Sequence, residues 1–265
     1  QLYNNLFGRI GLNVDINDKN TLGFNYNVIW NKVFWDKEHI ITRVHNNIND
    51  ALIQSIKNEA DNTRNFYNFS FTTYYTLKID TTGKKLNLGF VLFNNDRNMN
   101  RNYTNATFNR VDSLLSKPIP QENTNGKQKS YIYIFNADME HPVKYGTWQY
   151  GVKFTYFNVS SDNKQSVLLT DNIYQLDSTR SNLFCYKEFN EAIYGGFNKS
   201  FKKLELEFGL RLEYTQLKGT LITIGNVNKQ QYIRPFPSLM IQYKKSDNHQ
   251  FNFSVSSRID RPAFY

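Results

Sequence analysis

The chain has 265 residues, 16% of them aromatic, with a mean hydropathy of −0.61 and a formal net charge of +9. Its single cysteine, Cys185, excludes an intramolecular disulfide framework. No apolar run approaches the roughly 18 to 20 residues that a membrane-spanning helix requires. This length fits one large all-β domain or two ordinary domains, and many aromatic and polar residues together are typical of strands with two unlike faces.

The positive charge would indicate nucleic-acid binding if it were clustered on one surface. Here it occurs only as pairs beside short connections, at Lys84-Lys85, Lys202-Lys203 and Lys244-Lys245. We interpret them as turn-end charges near a lipid surface, where long cationic side chains extend towards water. Exposed turns that simply carry lysines are the alternative, and no nucleic-acid partner is expected.

Period-two alternation predicts strands along the whole chain. Apolar residues at even positions 6–16 and 22–30 form a first pair, joined by a tight turn at Asn17-Asp18-Lys19-Asn20. A second pair joins positions 67–79 to 86–92 through Asp80-Thr81-Thr82-Gly83. A third runs from Tyr131 to Met139, turns around residues 141–146 and resumes over residues 148–156.

The fourth predicted pair joins residues 184–197, past Lys199-Ser200-Phe201, to a strand over residues 203–214. In that strand the even positions from Leu204 to Tyr214 are all apolar, and the odd ones are nearly all charged. A fifth pair joins residues 233–243 to 249–257 through Lys245-Ser246-Asp247-Asn248. The sequence thus predicts about ten strands and five tight turns.

The remaining connections are expected to be long loops, at residues 36–63, 95–128, 161–183 and 218–231. A capping Asn or Asp before Ile and Leu at helical spacing predicts a short helix over residues 49–56. Short turns at one end and long loops at the other are typical of outer-membrane barrels.

The apolar face of such strands can contact either lipid or a soluble core, because a β-sandwich shows the same alternation. These segments alternate for about ten residues or more, which matches the roughly 9 to 11 tilted residues that cross a bilayer. A closed sheet also pairs every backbone group in hydrocarbon. We therefore predict an antiparallel transmembrane β-barrel with an apolar lipid face, and a soluble carbohydrate-binding sandwich is the rival.

Several segments carry a family resemblance, and they are Ala192–Phe197, Phe208–Thr215, Phe236–Leu239, Arg258–Pro262, and Ala137–Pro142 followed by Gly151–Phe154. In this order and spacing they resemble the outer-membrane β-barrel family related to TonB-dependent receptors, across essentially the whole chain. The resemblance implies a 22-stranded barrel with an N-terminal plug. It also implies import of a scarce or bulky ligand with energy transmitted by TonB.

The chain shows no plug, no TonB-contacting segment and no terminal strands. We therefore expect residues 1–265 to be part of a single barrel domain, about ten strands of the larger barrel, in the outer membrane of a Gram-negative bacterium. The expected function is uptake of an unidentified ligand. The alternative is a structural or adhesive barrel that binds a partner or surface polymer without transport. Expected partners are outer-membrane lipid and lipopolysaccharide, TonB through a plug, and a surface lipoprotein.

The polar faces of the strands are expected to line the lumen. The candidate residues are Arg9, Asp15, Lys153, Glu205, Glu207, Arg211 and Glu213. We interpret them as groups that pair with one another and hold the wall, and direct contact with a ligand is the alternative. The resemblance assigns no binding residue here.

No metal site, cofactor or catalytic residue is predicted, and we expect no enzymatic activity. The chain has no nucleophile elbow, phosphate loop, nucleotide fingerprint or HExxH motif. Its four histidines, His39, His45, His141 and His249, lack metal-ligand spacing and are expected to be solvated loop residues. The acidic residues of the first predicted loop lack the alternating register of a calcium loop.

Overall fold

Eleven antiparallel strands form one sheet in the computed structural model, which describes residues 2–46, 50–109, 122–169, 173–246 and 248–259. A short 3-10 helix, Ile222–Ile224, precedes the tenth strand. The strands are β1 (Leu2–Asn17), β2 (Asn20–His45), β3 (Leu52–Lys78), β4 (Lys85–Asn109), β5 (Glu122–Val143), β6 (Gly146–Leu168), β7 (Tyr174–Leu176), β8 (Asn182–Ser200), β9 (Leu204–Leu221), β10 (Asn226–Ser246) and β11 (His249–Ser256).

Each long strand pairs with the next long strand along the chain. The short β7 pairs only with the far end of β6, and β6 pairs directly with β8. Among the described residues β1 has one neighbour, β2, and β11 has one neighbour, β10. The predicted antiparallel sheet of about ten long strands is confirmed.

The cross-strand register places the predicted apolar positions of neighbouring strands on one common face, the apolar face. One row across the sheet shows this with a single charged exception, Glu191, and it consists of Leu12, Phe24, Thr73, Phe90, Phe135, Phe154, Glu191, Tyr214 and Ile233. Aromatic rings contact one another across strands on this face, as Trp148 and Phe197 do with ring centroids 4.7 Å apart. Period-two alternation in ten separate segments therefore becomes a single continuous surface.

The apolar face is not covered by other parts of the described chain. Phe208 is 50% exposed and Leu210 is 56% exposed. On the opposite, polar face, Thr215 is fully buried, and Glu205 and Glu207 are half-buried. A soluble sandwich would show the reverse, because the apolar faces of its two sheets pack against each other. No helix of the described residues is long and apolar enough to cross a membrane.

The tight turns occur where the sequence predicts them. Asn17 and Asn20 close the first hairpin, where the Asn17 side chain accepts a hydrogen bond from the Lys19 amide at 3.0 Å. In the second, the Asp80 side chain accepts one from the Thr82 amide at 2.9 Å, and Gly83 adopts φ +96°. Such Asx-type bonds and a left-handed glycine reverse the chain within a few residues.

The predicted boundaries of the long loops are wrong. Strand β2 continues to His45 and β3 already begins at Leu52, so both extend into the first predicted loop. Likewise, β9 continues to Leu221 and β10 begins at Asn226. The predicted helix over residues 49–56 is wrong as well, because Leu52 to Ile56 lie in β3 (residues 47–49 are outside the described residues). Backbone pairing continues where neither face is consistently apolar, so alternation underestimates strand length. The prolines of the second predicted loop, Asp247 and residues 260–265 lie outside the described residues.

Candidate functional site on the polar face

All seven residues predicted to line the lumen lie on the polar face, as the register shows. Among them, one ion pair forms within the described residues, from Arg211 Nε to Glu213 Oε1 at 2.6 Å. Glu205 instead accepts a hydrogen bond from Asn198 at 3.0 Å, and Asp15 accepts one from Thr21 at 2.7 Å. The expected mutual pairing therefore holds for a single pair, while neutral donors satisfy other carboxylates.

A connected group of polar side chains surrounds Asp138 on the polar face. Asp138, Gly151, Tyr194 and Arg211 lie side by side on β5, β6, β8 and β9. The Tyr194 hydroxyl donates a hydrogen bond to Asp138 across Gly151, and the Asn136 amide donates a second. A Cβ atom at position 151 would lie 2.5 Å from the Ala137 carbonyl oxygen and 2.9 Å from the Tyr194 hydroxyl. Glycine at position 151 thus leaves the space through which Tyr194 reaches Asp138.

Arg211 extends this group to the next strand. Its guanidinium carbon lies 5.1 Å from the centre of the Tyr194 ring, a cation–π distance. Glu213, its ion-pair partner, also accepts a hydrogen bond from Asn190 at 3.0 Å, and Asn190 donates to the buried Thr215 at 2.8 Å. We name Asn136, Asp138, Tyr194, Asn190, Arg211 and Glu213 the Asp138 cluster. It borders a depression of about 380 Å³ that Glu207 and Ser238 also line.

A similar arrangement without charge lies near the other edge of the sheet. Tyr74 on β3 extends across Gly23 on β2 and donates a hydrogen bond to Asn13 on β1 at 2.5 Å. A Cβ atom at position 23 would lie 2.3 Å from the Tyr74 ring and 2.6 Å from the Asn13 side-chain oxygen. Glycine therefore permits the same aromatic crossing in two places.

A second charged group lies on the polar face at the end of the sheet remote from the tight turns. Glu122 accepts hydrogen bonds from Tyr103 and Gln165, and Arg180 lies 2.9 Å from it. Arg180 belongs to the connection between β7 and β8 and also pairs with Asp177 at 2.6 Å. Hydrogen bonds from Thr179 and then Arg180 hold the pKa of Asp177 well below its ordinary value. This group, the Glu122 cluster, attaches the connection to the ends of β4, β5 and β6.

The four histidines lie in strands β2, β5 and β11 rather than in loops. His39 approaches Glu59 at 3.6 Å. Two acidic residues of the first predicted loop form ion pairs with arginines, Asp36 with Arg64 and Glu38 with Arg101. In the part of the chain that the structure describes, no three His, Cys, Asp or Glu side chains are grouped closely enough for a metal ion.

Sequence reasoning did not identify Asp138, Tyr194 or Asn190 as polar-face residues. A tyrosine on the polar side of an alternating strand is a weak signal by itself. It becomes informative only when the register places it opposite a glycine, with an acceptor on the strand beyond.

The sequence model of the outer membrane protein β-barrel family matches residues 77–265. No curated protein matches the chain significantly. Among solved structures, the chain is similar to the ferric citrate transporter FecA in its unliganded form, with 10% identity, a TM-score of 0.38 and coverage of 92% of this chain and 42% of FecA.

Two further solved structures show the same level of similarity. The ferric yersiniabactin uptake receptor FyuA from Yersinia pestis has 10% identity and a TM-score of 0.38, with coverage of 91% of this chain and 42% of FyuA. The siderophore receptor PiuA from Acinetobacter baumannii has 10% identity and a TM-score of 0.39, with coverage of 91% and 46%. The chain thus spans less than half the length of each receptor, and similarity at this level does not assign a function.

Proposed function

Because the chain belongs to the outer membrane protein β-barrel family and is a multi-pass β-barrel protein of the outer membrane, we propose that it forms part of the wall of a TonB-dependent-receptor-like transporter. The transporter takes up a ligand, still unidentified, along the polar face. It acts by binding and passage and not by catalysis.

The width of the barrel carries this proposal. A barrel of about eight strands is filled by its own inward side chains, whereas larger barrels leave room for water, solute or a plug. Here ten long strands pair in succession, and the sheet has not closed within the described residues. A polar face this wide suits a lumen through which a bulky ligand passes.

The two polar clusters supply groups for such a ligand. The Glu122 cluster lies at the end remote from the tight turns, which is the extracellular end in barrels with short periplasmic turns. The Asp138 cluster lies nearer the tight turns on the same face. A solute that enters from outside meets the Glu122 cluster first and the Asp138 cluster further inside.

The proposed partners follow from the mechanism. A bulky ligand cannot be concentrated by diffusion alone, so energy must come from the inner membrane through TonB and a plug in the full-length protein. A surface lipoprotein that delivers or encloses the ligand is a further proposed partner in a Gram-negative cell.

Binding of TonB tests the proposal. The full-length protein, purified in detergent, is immobilised and exposed to the periplasmic domain of TonB from the same bacterium. An eight-stranded outer-membrane protein from that bacterium serves as the control surface. We expect saturable one-to-one binding to the full-length protein alone, and Asp138→Asn should leave it unchanged because the Asp138 cluster lies in the wall. Binding no greater than to the control would overturn the transporter and favour a structural or adhesive barrel.

A further inference from the structure

Three lysines lie side by side on the outward, apolar side of the wall. Lys187 on β8 pairs in register with Lys218 on β9, and Lys218 pairs with Lys229 on β10. Neighbouring strands lie about 4.8 Å apart, so the outer two lysines are about 10 Å apart at the backbone. All three are exposed. We propose that this lysine row binds the phosphate groups of a phosphorylated glycolipid, lipopolysaccharide, in the outer leaflet.

Like charges directly opposite one another destabilise a sheet, so a bound anion would relieve the repulsion among the three lysines. In the part of the chain that the structure describes, none of the three lysines has an ion-pair or hydrogen-bond partner. Glu188 points to the other face, where Tyr186 donates a hydrogen bond to it. Glu191, the nearest carboxylate along β8 on the same face, is separated from Lys187 by Phe189. The charge is therefore free to meet an external partner.

The position of the row along the strands matches the edge of the hydrocarbon layer. On β9 the outward apolar residues run from Leu204, beside the tight turn, to Tyr214, which is ten residues, or about 34 Å along the strand and about 24 Å across a membrane at a 45° tilt. Lys218 follows four residues later, just beyond this stretch. The apolar band of outer-membrane barrels is about 25 Å tall. The lysines thus reach the headgroup level of the leaflet opposite the tight turns, which is the outer one.

A change in the side-chain pattern marks the same boundary. Just inside the lysine row, Tyr214 accepts a hydrogen bond from Gln216 at 2.7 Å and donates one to Gln231 at 3.5 Å, all on the outward side. Beyond it, the apolar side chains move to the other face, where the buried Tyr186 contacts Phe157 with ring centroids 5.9 Å apart. The outward surface therefore changes from apolar to polar at the lysines.

The surface at this boundary can contact both the phosphate groups and the acyl chains of a glycolipid. The lysines line one side of a shallow depression of about 510 Å³, and the next row towards the apolar band, which consists of Tyr156, Phe189, Gln216 and Gln231, lines the other. Ammonium groups bind phosphate by charge-assisted hydrogen bonds. The rings of Tyr156 and Phe189 are then placed against the first part of the acyl chains.

The test uses the full-length protein, purified in detergent, and native mass spectrometry with added bisphosphorylated lipid A. The variant carries Lys187→Gln, Lys218→Gln and Lys229→Gln together. The matched control carries the same change in charge at exposed turn lysines, as Lys144→Gln, Lys202→Gln and Lys245→Gln. Circular dichroism checks that each protein is folded, and Lys218→Gln alone replaces the triple variant if the latter does not fold.

We expect lipid A to bind the wild type and the control equally. The triple variant should bind about a hundredfold more weakly, since each lysine near an anionic headgroup contributes about fivefold. Lys218→Gln alone should lose about fivefold. Lipid A without phosphates should bind all variants weakly, and inorganic phosphate at equal concentration should not displace the intact lipid.

Equal affinity of wild type and triple variant for lipid A would overturn the proposal. Equal binding of dephosphorylated lipid A, or of phosphatidylglycerol, would overturn it too, because the site would then not select a phosphorylated glycolipid. This inference rests on the position of the chain in the outer membrane and not on transport, so failure of TonB binding would leave it intact.

Discussion

Two tyrosines cross a glycine on the polar face, and the two crossings differ in what they reach. Tyr74 crosses Gly23 to a neutral amide, Asn13, near the first strand. Tyr194 crosses Gly151 to a carboxylate, Asp138, which accepts a second hydrogen bond from Asn136, and the cation of Arg211 lies over the Tyr194 ring. One steric arrangement can therefore either join two neutral side chains across a strand or hold a half-buried charge, depending on the acceptor at its end.

Substitution of the two glycines should give the largest difference in stability between the crossings. The nearest atoms to an added Cβ at position 23 belong to side chains, which can rotate away, whereas at position 151 the nearest is a backbone oxygen of β5. We expect Gly151→Val to lower the free energy of unfolding by about 3 kcal/mol and Gly23→Val by about 1 kcal/mol. Denaturant titration of the full-length protein in lipid vesicles measures both. Equal losses would show that the backbone contact is not the difference.

Removal of the two tyrosine hydroxyl groups should give the next largest difference in stability. Tyr194→Phe removes a hydrogen bond to a carboxylate and should cost about 2 kcal/mol, whereas Tyr74→Phe removes a neutral one and should cost about 1 kcal/mol. Asp138→Asn converts the second crossing into a neutral one. In that background, Tyr194→Phe should cost no more than Tyr74→Phe does, as a double-mutant cycle would measure. An unchanged cost would mean that the charge of Asp138 contributes nothing to the crossing.

Arg211 offers a smaller effect that only the charged crossing can show. Arg211→Lys keeps the charge but removes the planar group that lies over Tyr194 and the Nε–H bond to Glu213. We expect a loss of about 1 kcal/mol in the same unfolding measurement. In the Tyr194→Leu background the loss should fall, since no ring remains for the guanidinium to contact. Identical losses in both backgrounds would exclude a role for the ring.

A carboxylate outside the membrane, Asp177, gives the smallest and most local effect. Its folded-state pKa is lowered, so the stabilisation of its turn is complete above the ordinary value of 3.8 and is lost as the pH falls through the lowered value. Hydrogen exchange should show protection of the Thr179 and Arg180 amides at neutral pH, and its loss on acidification or in Asp177→Asn. Protection that is independent of pH would mean that neither amide depends on the carboxylate.

The sequence was sufficient to predict those features of the fold that require a repeating pattern of residues. Hydrocarbon on one side and water on the other force the alternation of Leu206, Phe208 and Leu210 with Glu205 and Glu207, and the tight turns show their own signatures, as Asp80 and Gly83 do. The strands, their antiparallel order and the apolar face could therefore be predicted.

Other features depend on partners that lie far apart in the chain. The contact between Tyr194 and Asp138 joins residues 56 positions apart and requires the register of three strands. The strand from Leu52 has apolar residues at spacings that also fit a helix, and only pairing with β2 and β4 decides between the two. The local residue pattern predicts which face of a strand is apolar, but it does not predict which residues of neighbouring strands are opposite each other.

The apolar face of the sheet contacts lipid and the polar face contacts water, and labels at two adjacent residues test this orientation. In a Cys185→Ser background, nitroxide labels are attached to cysteines introduced as Phe208→Cys and Glu207→Cys in the full-length protein in lipid vesicles. Electron paramagnetic resonance then measures collisions with oxygen, which concentrates in lipid, and with a water-soluble nickel chelate. The label at 208 should respond to oxygen and the label at 207 to nickel. The reverse result would place the apolar face inside a protein core and contradict the outward orientation of the wall.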